Sequence, residues 1–253
     1  MKSQDYIVSR NGYNVSCKLY DEDKKTIPAA VIFGHGVGGH TDNKAAERFA
    51  QRALDKLRFA TVTFNWPCHG DDVRKKLRLG DCDGYLTAVI ADVRARYGDP
   101  RLFAYATSFG GFLFLKYLLE HGSPFQRMVL RCPAVDLYRI QTERLLTPEK
   151  LEKLHKGKEV LAGFDRKVAI DRTYLEEIRA VDLLHADFTA YMDDVLILHG
   201  TRDEIVPLEM VQAFADDQLM GFVPIEHADH RFQDPRAMDE AIKVILEFFS
   251  GRK

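Results

Sequence analysis

The chain has 253 residues, of which 46% are hydrophobic. That is enough for one large core, so a single domain over residues 1–253 is expected. Thirty-six basic residues against thirty-eight acidic ones give a net charge of −2, which argues against a nucleic-acid partner or an anionic membrane surface.

In chain order, the N-terminal stretch MKSQDYIVSRNGYNV is polar and lacks the apolar core of a signal peptide. No later apolar run is long enough to span a bilayer, so a cytoplasmic protein is expected. Within that stretch, DYIVSR and YNVSCKLY flank Asn11-Gly12 and read as a hairpin. A strand AAVIFGHG follows, then a helix from about Thr41 to Leu57, a strand FATVTFN and a helix from about Cys82 to Tyr97. The strand RLFAYAT leads through a small-residue turn into the helix FGGFLFLKYLL, and the strand MVLRCPA comes next. After an insertion come the strand VLILHG, a helix near Pro207 to Phe214, the strand MGFVPIE and a terminal helix DPRAMDEAIKVILEFF. Apolar strands separated by helices predict an α/β fold whose mainly parallel sheet is covered on both faces.

The turn after RLFAYAT reads Ala106-Thr107-Ser108-Phe109-Gly110, a GxSxG-type motif with alanine in the first small position. Small residues two before and two after a nucleophilic serine let strand and helix crowd its strained backbone. The plainer reading is a serine that caps a helix. As a nucleophile, Ser108 needs a histidine base and a carboxylate to orient that base.

Over essentially its whole length the chain resembles the α/β-hydrolase superfamily, in which the elbow also follows the fifth strand. HGVGGHTDN and EHADHRF resemble loops of small bacterial esterases related to cinnamoyl and feruloyl esterases and to dienelactone hydrolases. The resemblance implies the order serine, acid, histidine. It places the acid at Asp203 in VLILHGTRDEIVP, with Glu204 and Asp136 as competitors, and the base at His230, with His227 as rival. An oxyanion would be met by the Phe109 N–H, directly after the serine, and by resemblance by the Val37 N–H in the His35-Gly36-Val37-Gly38-Gly39 turn.

Gly34, Gly36 and Gly39 also spell GxGxxG after a strand. The helix starts too late for a dinucleotide site, however, and the next strand ends in Asn65 rather than an acid, so no cofactor is expected. Cys17, Cys68, Cys82 and Cys132 lack metal spacing and read as reduced thiols, with no metal expected and Cys132 buried and structural. His35, Trp66 and His69 are candidate pocket-lining residues, with turn packing as the alternative for Trp66 and His69. The basic run Arg74, Lys75, Lys76 and Arg78 reads as a solvated face.

In the superfamily, the insertion from about Leu137 to Met192 is the usual place for a cap. It holds ten basic and ten acidic residues, so its charge points to neither an anionic nor a cationic substrate. Tyr138, Leu145, Leu146, Leu154, Phe164, Tyr174 and Leu175 are its candidate roof, or else its own packing. The expected function is a serine carboxylesterase acting on a small-molecule ester. An aminopeptidase with the same residues and a non-catalytic binding protein are the alternatives.

Overall fold

The computed structural model describes residues 1–22, 27–72, 76–163 and 166–251. β1 (Lys2–Arg10) and β2 (Tyr13–Asp21) pair antiparallel around Asn11 and Gly12. Both turn residues have positive φ, 51° and 80°, as a two-residue hairpin turn requires. β3 (Ala29–Gly34) is buried along its whole length. α1 (Lys44–Leu57) starts after Asn43, whose side chain accepts from the N–H groups of Ala45 and Ala46. It is followed by β4 (Ala60–Phe64). α2 (Leu79–Tyr97) begins before the expected Cys82, because the Leu79 N–H is taken by Glu177, a side chain remote in sequence.

β5 (Arg101–Thr107) runs into α3 (Phe109–His121), and β6 (Arg127–Arg131) ends where Cys132 takes φ 47°. The insertion contains α4 (Leu137–Ile140), a π-helical turn Gln141–Leu145, α5 (Pro148–His155), the ribbon β7 (Val160–Ala162) with β8 (Val168–Ile170), α6 (Arg172–Ala180) and a 3-10 turn Thr189–Tyr191. β9 (Val195–Gly200), α7 (Leu208–Asp217), β10 (Gly221–Ile225) and α8 (Pro235–Ser250) complete the chain.

Eight strands form one sheet in the order β1-β2-β4-β3-β5-β6-β9-β10. The pairs from β4 to β10 are parallel, and β2 joins β4 antiparallel, so the predicted mainly parallel sheet is observed. Alternate residues of β3 serve opposite cores. Ala29, Val31 and Phe33 pack with Phe49 and Ala53 of α1 and Ala241 and Ile245 of α8. Ala30 and Ile32 belong to the other core, with residues of α2, α3 and the insertion. Because the central strands run in parallel, Gly34, Thr107, Arg131 and Gly200 end at one edge, where open α/β sheets place their sites. Among the described residues, no helix is long and apolar enough to cross a membrane.

The basic run does not act as one solvated face. Arg74 and Lys75 lie outside the described residues and Lys76 is exposed, but Arg78 makes two hydrogen bonds to Asp171 (2.9 and 2.5 Å). Asp171 also caps α6 by accepting from the Tyr174 N–H, so this pair ties the insertion to the start of α2. Burial, the largest single influence, would raise the Asp171 pKa, but the Arg78 hydrogen bond, the Tyr174 N–H and the Arg78 charge together outweigh it and hold the carboxyl below its ordinary value. In a double-mutant cycle with Arg78→Gln and Asp171→Asn, urea denaturation should give a coupling of about 1 kcal/mol at neutral pH. Strictly additive single effects would mean that the pair does not join these two segments energetically.

Candidate active site

Ser108 sits between β5 and α3 with φ 52° and ψ −115°, a conformation that non-glycine residues rarely adopt. Its side chain makes no capping hydrogen bond to α3, which removes the helix-cap reading. Its backbone is pinned from both directions. The Ser108 N–H donates to the Arg131 C=O (3.0 Å), and the Ala134 N–H donates to the Ser108 C=O (3.2 Å). Gly110 explains the small residue two places on, because a Cβ there would lie 2.5 Å from the Gly34 O and 2.8 Å from the His35 O. The first turn of α3 therefore rests directly on the end of β3.

The structure brings Ser108, His230 and Asp203 into one hydrogen-bonded row. The Ser108 hydroxyl donates to His230 Nε2 (3.0 Å), and His230 Nδ1–H donates to Asp203 Oδ2 (2.7 Å). Asp203 follows β9 and His230 follows β10, so the parallel pairing of those strands places acid beside base. The other Asp203 oxygen accepts from the N–H groups of Ile205 and Val206, both at 2.9 Å. The Asp203 side chain is 0% exposed. Burial pushes its carboxyl up, but the hydrogen bond and charge of His230, the Val206 amide and the Cys132 thiol together hold it below 3.8. An ionised Asp203 fixes the His230 tautomer, leaving Nε2 free to take the Ser108 proton.

The competing residues lie elsewhere. Asp136 caps α4 by accepting from the Arg139 N–H (3.0 Å), Glu204 is exposed, and His227 is exposed with its N–H donated to Thr201 Oγ1 (2.8 Å). His199, to which sequence reasoning gave no role, is buried 3.4 Å from Asp203, and its Nε2–H donates to the Val206 C=O (3.0 Å). Cys132, Asp203 and His230 have donor atoms within 4.8 Å of one another, as a metal centre would require. The carboxylate oxygens are already engaged, however, and burial raises the thiol pKa well above its ordinary value.

Val37 and Phe109 both face the cavity that contains Ser108. Among the described residues neither N–H is donated to a backbone acceptor, and that of Phe109 is the orphan amide opening α3. His35 anchors this turn: its Nδ1–H donates to the Gly36 C=O (2.8 Å), and its own C=O accepts from the Trp66 indole N–H (2.9 Å). Asn65, which ends the strand after the GxGxxG pattern, accepts from the Thr41 N–H (2.9 Å) and braces the segment leading to α1.

The cavity has a volume of about 310 Å³. His35 lines it, whereas Trp66, Tyr138 and His69, also expected there, do not. Trp66 is fully buried, the Tyr138 ring carries the Arg179 guanidinium 5.7 Å from its centroid, and His69 lines a neighbouring depression. Leu145 reaches the wall, but Leu146, Leu154, Tyr174 and Leu175 are core packing, and Phe164 lies outside the described residues. Leu137, Ile140, Gln141 and Ile205 are among the further wall residues that were not foreseen, and so are Lys44, Arg131, Arg166 and Arg231. The residues of α4 and its π-turn could have been found from the amphipathic run after Asp136.

A sequence model of the alpha/beta hydrolase fold matches residues 29–157. No curated protein matches the chain. Among solved structures, Est1E from Butyrivibrio proteoclasticus with bound ferulic acid superposes with a TM-score of 0.77 at 18% identity, over 97% of this chain and 98% of that one. Mouse alpha/beta hydrolase domain-containing protein 10 gives 0.75 at 18% identity, over 99% of this chain and 100% of that one. Dienelactone hydrolase from Anabaena variabilis gives 0.62 at 17% identity, over 99% of this chain and 98% of that one. At these identities the likeness is one of fold.

Two neighbouring imidazoles make stability depend on pH. Burial lowers His35 from 6.5 to about 3 and His69 from 6.5 to about 4, and their rings lie 5.2 Å apart. Both bind protons more weakly when folded than when unfolded, so stability is fully present above the unfolded value and falls as pH drops below it. The urea midpoint should therefore decline steadily from pH 7 to pH 5, and less steeply in His69→Gln. A flat profile over that range would contradict this account.

Proposed function

The chain belongs to the alpha/beta hydrolase fold family, and on that premise we propose that it is a serine carboxylesterase acting through an acyl-enzyme. The observation that carries this reading is the row Ser108–His230–Asp203, with hydrogen bonds of 3.0 and 2.7 Å. Ser108 Oγ attacks the ester carbonyl as His230 Nε2 takes its proton, and Asp203 stabilises the resulting imidazolium. The Phe109 and Val37 N–H groups receive the developing oxyanion, a contribution of roughly 3 kcal/mol per donor in comparable sites. Collapse of the tetrahedral intermediate expels the alcohol, which takes the proton back from His230. Water then repeats the sequence on the acyl-enzyme and frees the acid.

Small to medium acyl or aromatic esters suit a cavity of about 310 Å³ walled in part by Leu137, Ile140 and Leu145. The ferulic acid bound to Est1E supports an aromatic, hydroxycinnamoyl-like acyl group as one such substrate. We assign residues 137–192 the role of a cap within a single-domain enzyme, since those three wall residues come from its first turns. No cofactor takes part in this scheme.

A fluorophosphonate probe should label the wild type and not Ser108→Ala, and labelling that survives in that variant would overturn the assignment. His230→Ala should lower kcat on an aryl ester by roughly 10⁴-fold. His227→Ala should remain near wild type. Asp203→Asn should lower kcat far more than it changes KM, with the circular-dichroism spectrum preserved. Preferential turnover of aminoacyl anilides over aryl esters would identify a peptidase using the same residues.

A further inference from the structure

We propose that the ester taken by this pocket carries a carboxylate, and that Arg131 is the residue that selects it. This inference rests on the serine-esterase reading and adds a substrate class to it.

The first observation is the sign of the wall. Lys44, Arg131, Arg166 and Arg231 line the cavity, and among the described residues no aspartate or glutamate does. Only Arg166 comes from the insertion, which is why the even charge of that segment describes a different surface. The N-terminus of α1 lies in the same wall through Asn43, Lys44 and Ala45, and adds the positive end of a helix dipole.

The second observation is the state of Arg131 itself. It closes β6, in register with Thr107, and its C=O holds the Ser108 N–H, so the residue starts beside the nucleophile. It is only 8% exposed, yet among the described residues no carboxylate lies within ion-pair distance and its Nε has no partner. Its neighbours are neutral: Met238 Sδ at 3.6 Å from Nη1, the Phe232 ring centroid at 4.8 Å from Cζ, and the Tyr105 hydroxyl. A guanidinium removed from water without a counter-charge is costly to the fold. It is also a planar fork matched to the two oxygens of a carboxylate. A substrate carboxylate would supply the missing charge, and a neutral ester would leave the cation unpaired.

Two matched pairs test the proposal. In the first, the charge is on the acyl side: mono-4-nitrophenyl glutarate against 4-nitrophenyl valerate. In the second, it is on the alcohol side: 4-(butyryloxy)phenylacetate against the corresponding phenylacetamide. Wild type should favour the carboxylate in at least one pair by about tenfold or more in kcat/KM, mainly through KM. About 0.5 M NaCl should reduce the preference. The ratio should collapse towards one in Arg131→Gln and partly survive in Arg131→Lys. Should Arg131→Gln not fold, the wild-type ratios decide, together with inhibition of valerate hydrolysis by glutarate but not by glutaramide. Equal or better use of the neutral ester in both pairs, with Ser108 still labelled by a fluorophosphonate, would overturn the anion reading and leave the esterase reading standing. No labelling and no turnover of any ester would overturn both.

Discussion

The site depends on one close approach, that of the first turn of α3 to the end of β3. Gly110 lies against the Gly34 and His35 carbonyls with no room for a side chain, and this contact holds Ser108 at a positive φ. The same contact sets the Val37 turn beside the serine, so nucleophile and candidate oxyanion donors are placed by one piece of packing. Local strain of this kind persists only where the surroundings over-determine it. Here the bonds to Arg131 and Ala134 fix the serine from the neighbouring strand and the loop after it.

The other half of the site is assembled at long range. Ser108 and His230 are 122 residues apart in sequence and meet because β5, β6, β9 and β10 are consecutive in the sheet. The loops after β9 and β10 are sewn together as well. The Thr201 N–H donates to the Ile225 C=O (3.0 Å), and the Arg202 N–H donates to the Ala228 C=O (2.9 Å). Asp203 and His230 are thus carried on two loops that are hydrogen-bonded to each other, an arrangement that aligns acid and base without a covalent link.

What could be read from the sequence follows from what each feature depends on. The elbow, the hairpin turn and the buried strands are local: a small-residue pattern around Ser108, positive-φ residues at Asn11 and Gly12, and uninterrupted apolar runs each state their own geometry. The choice of Asp203 over Asp136 and of His230 over His227 came from likeness to a family, because nothing local separates these pairs. The structure separates them by environment: Asp136 caps a helix, His227 is exposed, and the other two share a hydrogen bond. Trp66 and Arg131 were the hardest to read. An aromatic residue after a strand looks like a pocket wall but braces the His35 carbonyl, while an arginine inside MVLRCPA gives no local sign that its charge will be buried with no carboxylate beside it among the described residues. The start of α2 escaped for the same reason, since its first N–H is satisfied by Glu177, far along the chain.

The ends of the sheet determine how the molecule behaves among its own copies. β10, the last strand on one side, carries Pro224, which has no N–H to offer a further strand. β1, on the other side, is exposed along most of its length and carries Lys2, Asp5 and Arg10, charges that a second strand would have to desolvate. Ile7 is the one large apolar side chain strongly exposed on that strand, flanked at two residues by Asp5. Both margins are therefore poor templates for β-addition, and a sheet this apolar at its centre is protected at its rims from propagating into an aggregate.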